Sequence, residues 1–245
     1  MMPFSPKLRT TSFERQPGLS KTHRIDLGSL SLTPHMSGAA YCVDEKLLLV
    51  ADLHLEQGAS LARRGLHVPP YDTMATLTML EQVLQETGAM RLILLGDSFH
   101  DAVAHDAVLE QDAKRLRAIT SRIDTIWISG NHDPRSHNSL GGICVDELAL
   151  GDVTLRHIPA RLADGEMEIA GHLHPGASII QRGSHIRTKC FVADNRRLIL
   201  PAFGSYTGAV NVRAKAFAGL FDTTRAHAWM ISKTTIHRFP WARLG

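Results

Sequence analysis

Four short apolar runs in this chain each end in a cluster of polar residues, and this pattern restricts the possible folds more than any other feature of the sequence. The runs have the length and residue types of buried strands, and they cover residues 47–50, 92–95, 126–128 and 167–170. The polar clusters that follow them are Asp52-Leu53-His54, Gly96-Asp97, Gly130-Asn131-His132-Asp133 and Gly171-His172-Leu173-His174. Because open α/β sheets form their sites where strands give way to loops, we expect these clusters to meet in one site.

The side chains of these clusters are typical metal ligands. Residues two apart in an extended segment leave the same face, so Asp52 with His54, and His172 with His174, can each converge on one point. Carboxylate, amide oxygen and imidazole without thiolate favour manganese, with iron or zinc as alternatives. Asp97 stands alone after its strand and is the candidate for a carboxylate shared by two ions about 3.5–4 Å apart. Any one of these residues has an ordinary explanation as a loop Asp or a surface His, but together they predict two divalent metal ions.

In chain order, the patterns D-x-H, GD, GNHD and GHxH resemble those of the calcineurin-like metallophosphoesterase superfamily. The resemblance implies a four-layer α-β-β-α sandwich of two mixed sheets, whereas periodicity alone predicts only an α/β fold. It also implies two sets of metal ligands that share one carboxylate. These sets are Asp52, His54, Asp97 and His174 for one ion, and Asp97, Asn131, His157 and His172 for the other.

Two residues of the third cluster have a different implied role. By the same resemblance, His132 points at the substrate phosphate rather than at a metal, and Asp133 orients its imidazole and raises its basicity. His157 departs from the superfamily pattern, because Arg156 precedes it where a Gly is usual. We retain it as a ligand, since it ends a strand-like run and stands upstream of the last cluster.

Longer phrases resemble a narrower family, the ligase-associated DNA damage response endonucleases of the PdeM type. The resemblance covers roughly residues 25–220 and includes the phrases ADLHLEQG (51–58), LGDSFHD (95–101), GEMEIAGHLHP (165–175) and LPAFGSYTGAVNV (200–212). It implies a role in DNA repair and association with DNA ligase, helicase and exonuclease proteins.

We therefore predict a metal-dependent phosphoric ester hydrolase, specifically a DNA endonuclease in which a metal-bridging hydroxide makes the in-line attack on phosphorus. One alternative is a nucleotide or small-molecule phosphoesterase with the same metals. An alternative of another class is a non-catalytic, metal-stabilised subunit that binds DNA or a partner. His132 argues against this last alternative, because a binding module does not require a positioned acid–base group.

Six further residues are candidate substrate contacts, each with a structural alternative. The basic stretch 180–197 would suit a polyanion, although such charges also protect a solvated hairpin edge from pairing with another strand. Tyr206 lies in a glycine-bounded turn that could present it to a base or pack it beneath the turn. The net charge of +3 is too small to indicate nucleic acid by itself. The six candidates are Arg63, Arg64, His100, Arg187, Lys189 and Tyr206, and Arg182 belongs to the same basic stretch.

The chain of 245 residues is long enough for one well-buried domain. Residues 1–24 mix Pro, Ser, Thr and basic residues without periodicity, so we predict a disordered or loosely attached segment before a single domain at 25–245. No apolar run approaches the ~18–20 residues that span a bilayer. The three cysteines show no CxxC spacing and no secretory segment accompanies them. We therefore expect a cytoplasmic protein without membrane association.

Helical periodicity is limited to the first half of the chain. It predicts one helix from Asp72 to about Gly88 and another from about Asp106 to Ser121. Strands dominate after Asn131 and are predicted at 153–156, 167–170, 190–193, 198–200, 228–231 and 235–237.

Overall fold

The computed structural model describes residues 23–66, 68–69, 71–101, 108–133, 138–181 and 183–245. The predicted N-terminal segment lies almost wholly outside these residues, as do Arg182 and the predicted start of the second helix at Asp106. No helix in the described ranges is long and apolar enough to cross a membrane.

The first sheet has seven strands in chain order, antiparallel in its first half and parallel in its second. The change of direction occurs at the fourth strand, because the chain returns through helices rather than through tight turns after that point. The strands are β1 (Ile25–Leu27), β2 (Leu30–Pro34), β3 (Ala40–Cys42), β4 (Leu47–Val50), β5 (Arg91–Leu95), β6 (Asp124–Ile128) and β7 (Ile143–Val145).

The second sheet has nine strands, and its centre is parallel where β9, β10 and β13 lie side by side. Its long hairpin, formed by β11 and β12, pairs antiparallel and extends beyond the rest of the sheet into solvent. The strands are β8 (Glu147–Leu150), β9 (Val153–Arg156), β10 (Met167–Ala170), β11 (Pro175–Gln181), β12 (Ser184–Ala193), β13 (Arg197–Ile199), β14 (Val210–Asn211), β15 (His227–Ile231) and β16 (Ile236–Pro240).

Three apolar layers separate these elements in the described part of the chain. The largest lies between the two sheets and includes Leu49, Ile93, Leu155 and Ile169. The second lies between the first sheet and the helices α2 (Asp72–Thr87) and α3 (Glu110–Thr120). The third covers the outer face of the second sheet. The short helix α1 (Gln57–Arg63) leads from the first strand-to-loop cluster toward α2.

The predicted fold of two mixed sheets is confirmed, with α-helices against the first sheet. Within the described residues, the outer face of the second sheet is covered instead by short 3-10 helices and loops, with Phe217, Phe221 and Trp241 filling the layer. Each of these 3-10 segments is three residues long, too short for helical periodicity to reveal.

Most predicted elements lie within two residues of the observed ones. The second helix begins at Glu110 in the described residues, where we predicted a start near Asp106. The prediction missed β1, β7, β8, β11 and β14. The strands β7 and β8 are short and have no fully buried residue, and β11 begins with Pro175, a residue that normally argues against a strand.

Candidate metal centre

The four polar clusters converge where the strands of both sheets end. Asp52 and Asp97 follow the adjacent parallel strands β4 and β5, whereas His157 and His172 follow the adjacent parallel strands β9 and β10. The backbone N–H of His172 donates to both carboxylate oxygens of Asp52, at 3.1 and 2.9 Å, and so joins the two sheets directly.

One group of ligand atoms is formed by Asp52, His54 and His174, whose ligand atoms lie within 4.8 Å of one another. The Nε2 atoms of His54 and His174 are 3.2 Å apart. Asp52 Oδ1 lies 3.5 Å from His174 Nε2. Asp52 and His54 are buried and His174 is half-buried, so the group opens to solvent on one side.

The second group consists of Asp97, His157 and His172, again within 4.8 Å. His157 Nε2 lies 3.2 Å from Asp97 Oδ2, 3.2 Å from His172 Nδ1 and 2.9 Å from the side-chain oxygen of Asn131. The same Asp97 oxygen lies 3.9 Å from His54 Nε2 in the first group. Asp97 therefore stands between the two groups, as a bridging carboxylate would.

The hydrogen bonds of His157 show that this arrangement fits a cation. Its Nδ1–H donates to the backbone carbonyl of Leu95 at 2.9 Å, which leaves Nε2 as a lone-pair acceptor in the neutral ring. That nitrogen faces a carboxylate and an amide oxygen, which are also acceptors. Because such converging acceptors repel one another unless a proton or a metal ion lies between them, the residues present fit a bound metal ion.

Several non-glycine residues at the site have a left-handed backbone conformation. Seven non-glycine residues have positive φ among those described, and five are predicted ligands. Left-handed backbone is unfavourable for residues with a Cβ, and its concentration at a site indicates that the surrounding structure holds it for a functional reason. The five are Asp52, His54, Asp97, His172 and His174, with φ between 45° and 67°.

Without a metal, the electrostatics of the site favour the metal-binding protonation states of His54 and Asp97, but not that of His157. Burial and the neighbouring His174 lower the pKa of His54 to about 3, so that its imidazole is neutral. Burial alone would raise the pKa of Asp97, but the hydrogen bond and charge of His157 outweigh it and lower the pKa to about 2. Burial opposes the charged form of His157, yet its contacts with Asp97 and Asp52 raise its pKa overall.

His132 lies at the solvent-exposed mouth, with its Nε2 4.0 Å from Asp97 Oδ2. Its Nδ1–H donates to the backbone carbonyl of His100 at 2.8 Å, which directs Nε2 toward the centre. We expected Asp133 to orient this ring. The structure differs, because Asp133 is buried behind the loop, where Oδ2 accepts the N–H of Phe99 at 3.0 Å.

The predicted substrate residues lie on different elements: α1, the loop after β5 and the hairpin of β11 and β12. Arg63 is exposed and donates to Asp101 Oδ2 at 2.7 Å, and Arg64 is exposed beside it at the end of α1. The ring of His100 contacts that of His54 edge-on, with centroids 5.4 Å apart. Arg187 is exposed on the hairpin and donates to the Ala209 carbonyl at 2.8 Å.

Lys189 is a correction to the predicted phosphate contacts. Its Nζ points inward and donates to Ala202 O, Gly204 O and Thr207 Oγ1 at 2.9, 3.1 and 3.0 Å. Burial lowers its pKa to about 8. The amine therefore stabilises the turn beside Asp52, and its charge is not presented to a polyanion.

Tyr206 lies in the same turn and is partly exposed. Its hydroxyl donates to the Pro69 carbonyl at 2.8 Å, which ties the turn to the segment before α2. The ring remains accessible at the surface, so both the stacking role and the packing role remain compatible with its position.

Sequence reasoning missed the glycines that make room for the ligands. A Cβ at Gly96 would lie 2.4 Å from the His157 ring, and a Cβ at Gly130 would lie 2.1 Å from the Asp97 backbone nitrogen. The available signal was that a glycine directly precedes Asp97, Asn131 and His172 in three of the clusters.

Comparison with solved structures supports the fold. A nuclease MPE from Pseudomonas putida has 25% identity and a TM-score of 0.66, with 89% of this chain and 99% of that chain covered. YfcE, a phosphoesterase from E. coli, covers 79% of this chain and 98% of its own at 13% identity, but its TM-score of 0.38 is too low to support an argument. No protein-family model and no curated protein sequence matches the chain.

The fold and the converging ligands define the class of protein. The chain has the architecture of a calcineurin-like metallophosphoesterase, and it resembles a bacterial nuclease of that architecture over nearly its whole length. This class consists of metal-dependent phosphoric ester hydrolases.

Proposed function

We propose that the protein is a phosphodiesterase that cleaves DNA and uses two divalent ions, with manganese as the first candidate. The observation that supports this proposal best is the position of Asp97, whose Oδ2 lies 3.2 Å from a histidine of one ligand group and 3.9 Å from a histidine of the other. A shared carboxylate is what a two-metal phosphoesterase requires. The likeness to a nuclease favours DNA over other phosphate esters.

Asp52, His54, Asp97 and His174 would hold one ion, and Asp97, Asn131, His157 and His172 the other. Two such ions supply an activated water and stabilise the charge that develops at phosphorus during in-line displacement. Leu95 and the burial of His157 fix the tautomer that exposes Nε2 to the centre. The site thereby orients the His157 ring toward the second ion.

His132 would act on the substrate rather than on the ions. Its Nδ1 is occupied by the His100 carbonyl, so Nε2 is the atom that faces the centre. From there it can stabilise charge on a phosphate oxygen or donate a proton to the leaving oxygen. Its exposure at the mouth leaves room for a substrate larger than the centre itself.

A role in DNA repair, with association to ligase, helicase and exonuclease proteins, is the part of the proposal that rests on family resemblance. Whether the substrate is a polymer or a mononucleotide depends on the surface beside the centre. Arg63, Arg64 and His100 belong to that surface. Exposed arginines near a metal centre suit a chain of phosphates.

The proposal is tested by comparing four substrates with manganese-loaded protein: bis-p-nitrophenyl phosphate, p-nitrophenyl phosphate, single-stranded DNA and supercoiled plasmid. We expect cleavage of the diester and of DNA, little cleavage of the monoester, and loss of all cleavage in Asp97→Asn. Turnover of p-nitrophenyl phosphate without DNA cleavage would favour the nucleotide or small-molecule phosphoesterase. Full metal loading without any turnover would favour the non-catalytic binding subunit.

A further inference from the structure

A cavity of about 780 Å³ lies away from the metal centre, at the start of β10 and β13. Three segments line it: residues 159–162 after β9, residues 194–197 at the turn between β12 and β13, and residues 219–222 with Arg225. The strand β10 separates the cavity, at its start, from the candidate metal ligand His172, which follows its end. At ~3.3 Å per residue, the four residues from Glu168 to His172 place the two regions on the order of 10 Å apart.

The walls of the cavity are held by one buried ion pair. Arg197 is nearly inaccessible, and its Nε donates to Glu168 Oε1 at 2.5 Å. Its two other nitrogens donate to the carbonyls of Ala160 and Leu220, which belong to the other two lining segments. The three segments are therefore cross-linked through a single guanidinium, and the cavity is a formed feature of the fold.

The acidic residues of the cavity are already satisfied by backbone donors. Asp194 accepts the N–H groups of Arg196, Arg197 and Asp222 at 2.8 to 2.9 Å. Asp222 accepts both the N–H and the hydroxyl of Thr224 through Oδ1. These hydrogen bonds fix the positions of both carboxylates, and each carboxylate still contributes one negative charge to the cavity.

Two arginines remain available to a ligand. Arg161 is exposed and has no polar partner among the described residues. Arg225 is 65% exposed and lies 3.5 Å from Asp222 Oδ2, a distance too long for a strong hydrogen bond. Four arginines and two aspartates line the cavity, and Glu168 behind it compensates Arg197. The uncompensated charge is therefore positive.

We propose that this cavity binds the phosphate of a nucleotide, with Arg161 and Arg225 as the anion contacts. The guanidinium group suits a phosphate because it offers paired donors in a planar fork. The volume falls within the ~300–1,000 Å³ range of small-molecule sites and far exceeds a lone phosphate. Leu162 and Phe221 provide an apolar wall for the rest of the molecule. The phosphate can belong to a free nucleotide or to the end of a strand.

The test is calorimetric titration of the manganese-loaded protein with a nucleoside monophosphate, inorganic phosphate and a 5′-phosphorylated oligonucleotide. Asp97→Asn should weaken phosphate binding at the metal centre, and Asp97 does not line the cavity. In that background we expect nucleotide binding to persist, and the double variant Arg161→Gln/Arg225→Gln to weaken it on the order of 100-fold, since it removes two charge-assisted hydrogen bonds. The matched control is Arg122→Gln/Lys233→Gln, which removes the same charge from exposed sites outside the cavity.

Equal affinities for the two double variants would overturn the proposal, as would loss of all nucleotide binding in Asp97→Asn. Inorganic phosphate binding as tightly as the nucleotide would contradict the role of the apolar wall. Oligonucleotide binding through the cavity would identify a strand end as the ligand, and its exclusion would identify the free nucleotide. This inference is independent of the proposed DNA cleavage, because its readout is binding in a variant designed to lack activity.

Discussion

His157 Nε2 lies 3.2 Å from Asp97 Oδ2, although the two residues follow strands of different sheets. This contact closes the two sheets over the candidate metal centre. Gly96 permits it, because a side chain there would overlap the His157 ring. The pair therefore couples the packing of the sheets to the geometry of the ligands, and changes at either residue are expected to affect both.

Asp97→Asn should remove nearly all activity and at least one metal ion, because a neutral amide bridges two cations poorly. Metal analysis of the protein prepared with excess manganese should show about two ions per wild-type chain and fewer in the variant. A variant that keeps full activity with one ion would show that the shared carboxylate is not required.

His132→Ala should retain both ions and lose on the order of 10²–10⁴ in rate, the range for a positioned acid–base group. The reason is that His132 Nε2 faces the centre from an exposed position, whereas Asn131 lies 2.9 Å from His157 Nε2 within it. Asn131→Ala is the comparison and should lose metal. If the metal losses are reversed between the two variants, the assigned roles are reversed.

Gly130→Ala should impair metal binding although it adds only a methyl group. Its Cβ would lie 2.1 Å from the Asp97 backbone nitrogen and 2.2 Å from Asp97 Oδ1, so the bridging carboxylate must move. Gly208→Ala is the matched control, because nothing lies within 4 Å of a Cβ there. Manganese affinity is the measurement, and equal affinities in the two variants would show that Asp97 tolerates the displacement.

If DNA runs along the exposed arginines, the double variant Arg63→Gln/Arg64→Gln should make the log–log salt dependence of DNA binding shallower by about two units, because each arginine would neutralise one phosphate. Arg187→Gln alone should make the same log–log salt slope shallower by about one unit if the hairpin also touches DNA. Hydrolysis of bis-p-nitrophenyl phosphate should change little in both. Salt slopes identical to wild type would exclude these arginines as phosphate ligands.

Lys189 should make the stability of the metal-free protein depend on alkaline pH. Burial lowers its folded-state pKa to about 8 from 10.5, so the unfolded chain binds more protons between these values and stability rises with pH across that window. Below about pH 8 the buried charge is a constant cost to folding. Urea unfolding of the wild type and Lys189→Met should therefore show a difference that grows in favour of the wild type across the window. A constant difference would place the folded-state pKa of Lys189 near its ordinary value.

The sequence by itself determined the strands that carry the clusters and the residue types of the ligands, because both depend on local patterns. Apolar runs predicted β4, β5, β6, β9 and β10 correctly, and the i, i+2 spacing placed Asp52 with His54 in one ligand group. His172 and His174 share the same spacing, yet they belong to different groups. All four residues have positive φ, so none keeps the extended geometry on which the spacing argument relied, and only the tertiary structure decides which ligands share a group.

Only the tertiary structure decided which way long side chains point and which partners they meet. Lys189 has the sequence context of a surface charge, but the turn at Gly204 brings three acceptors around its amine and draws it inward. The ring of His132 is held by the His100 carbonyl rather than by the adjacent Asp133. Such contacts join residues far apart in the chain. Their energies depend on tertiary packing, which a local sequence pattern does not predict.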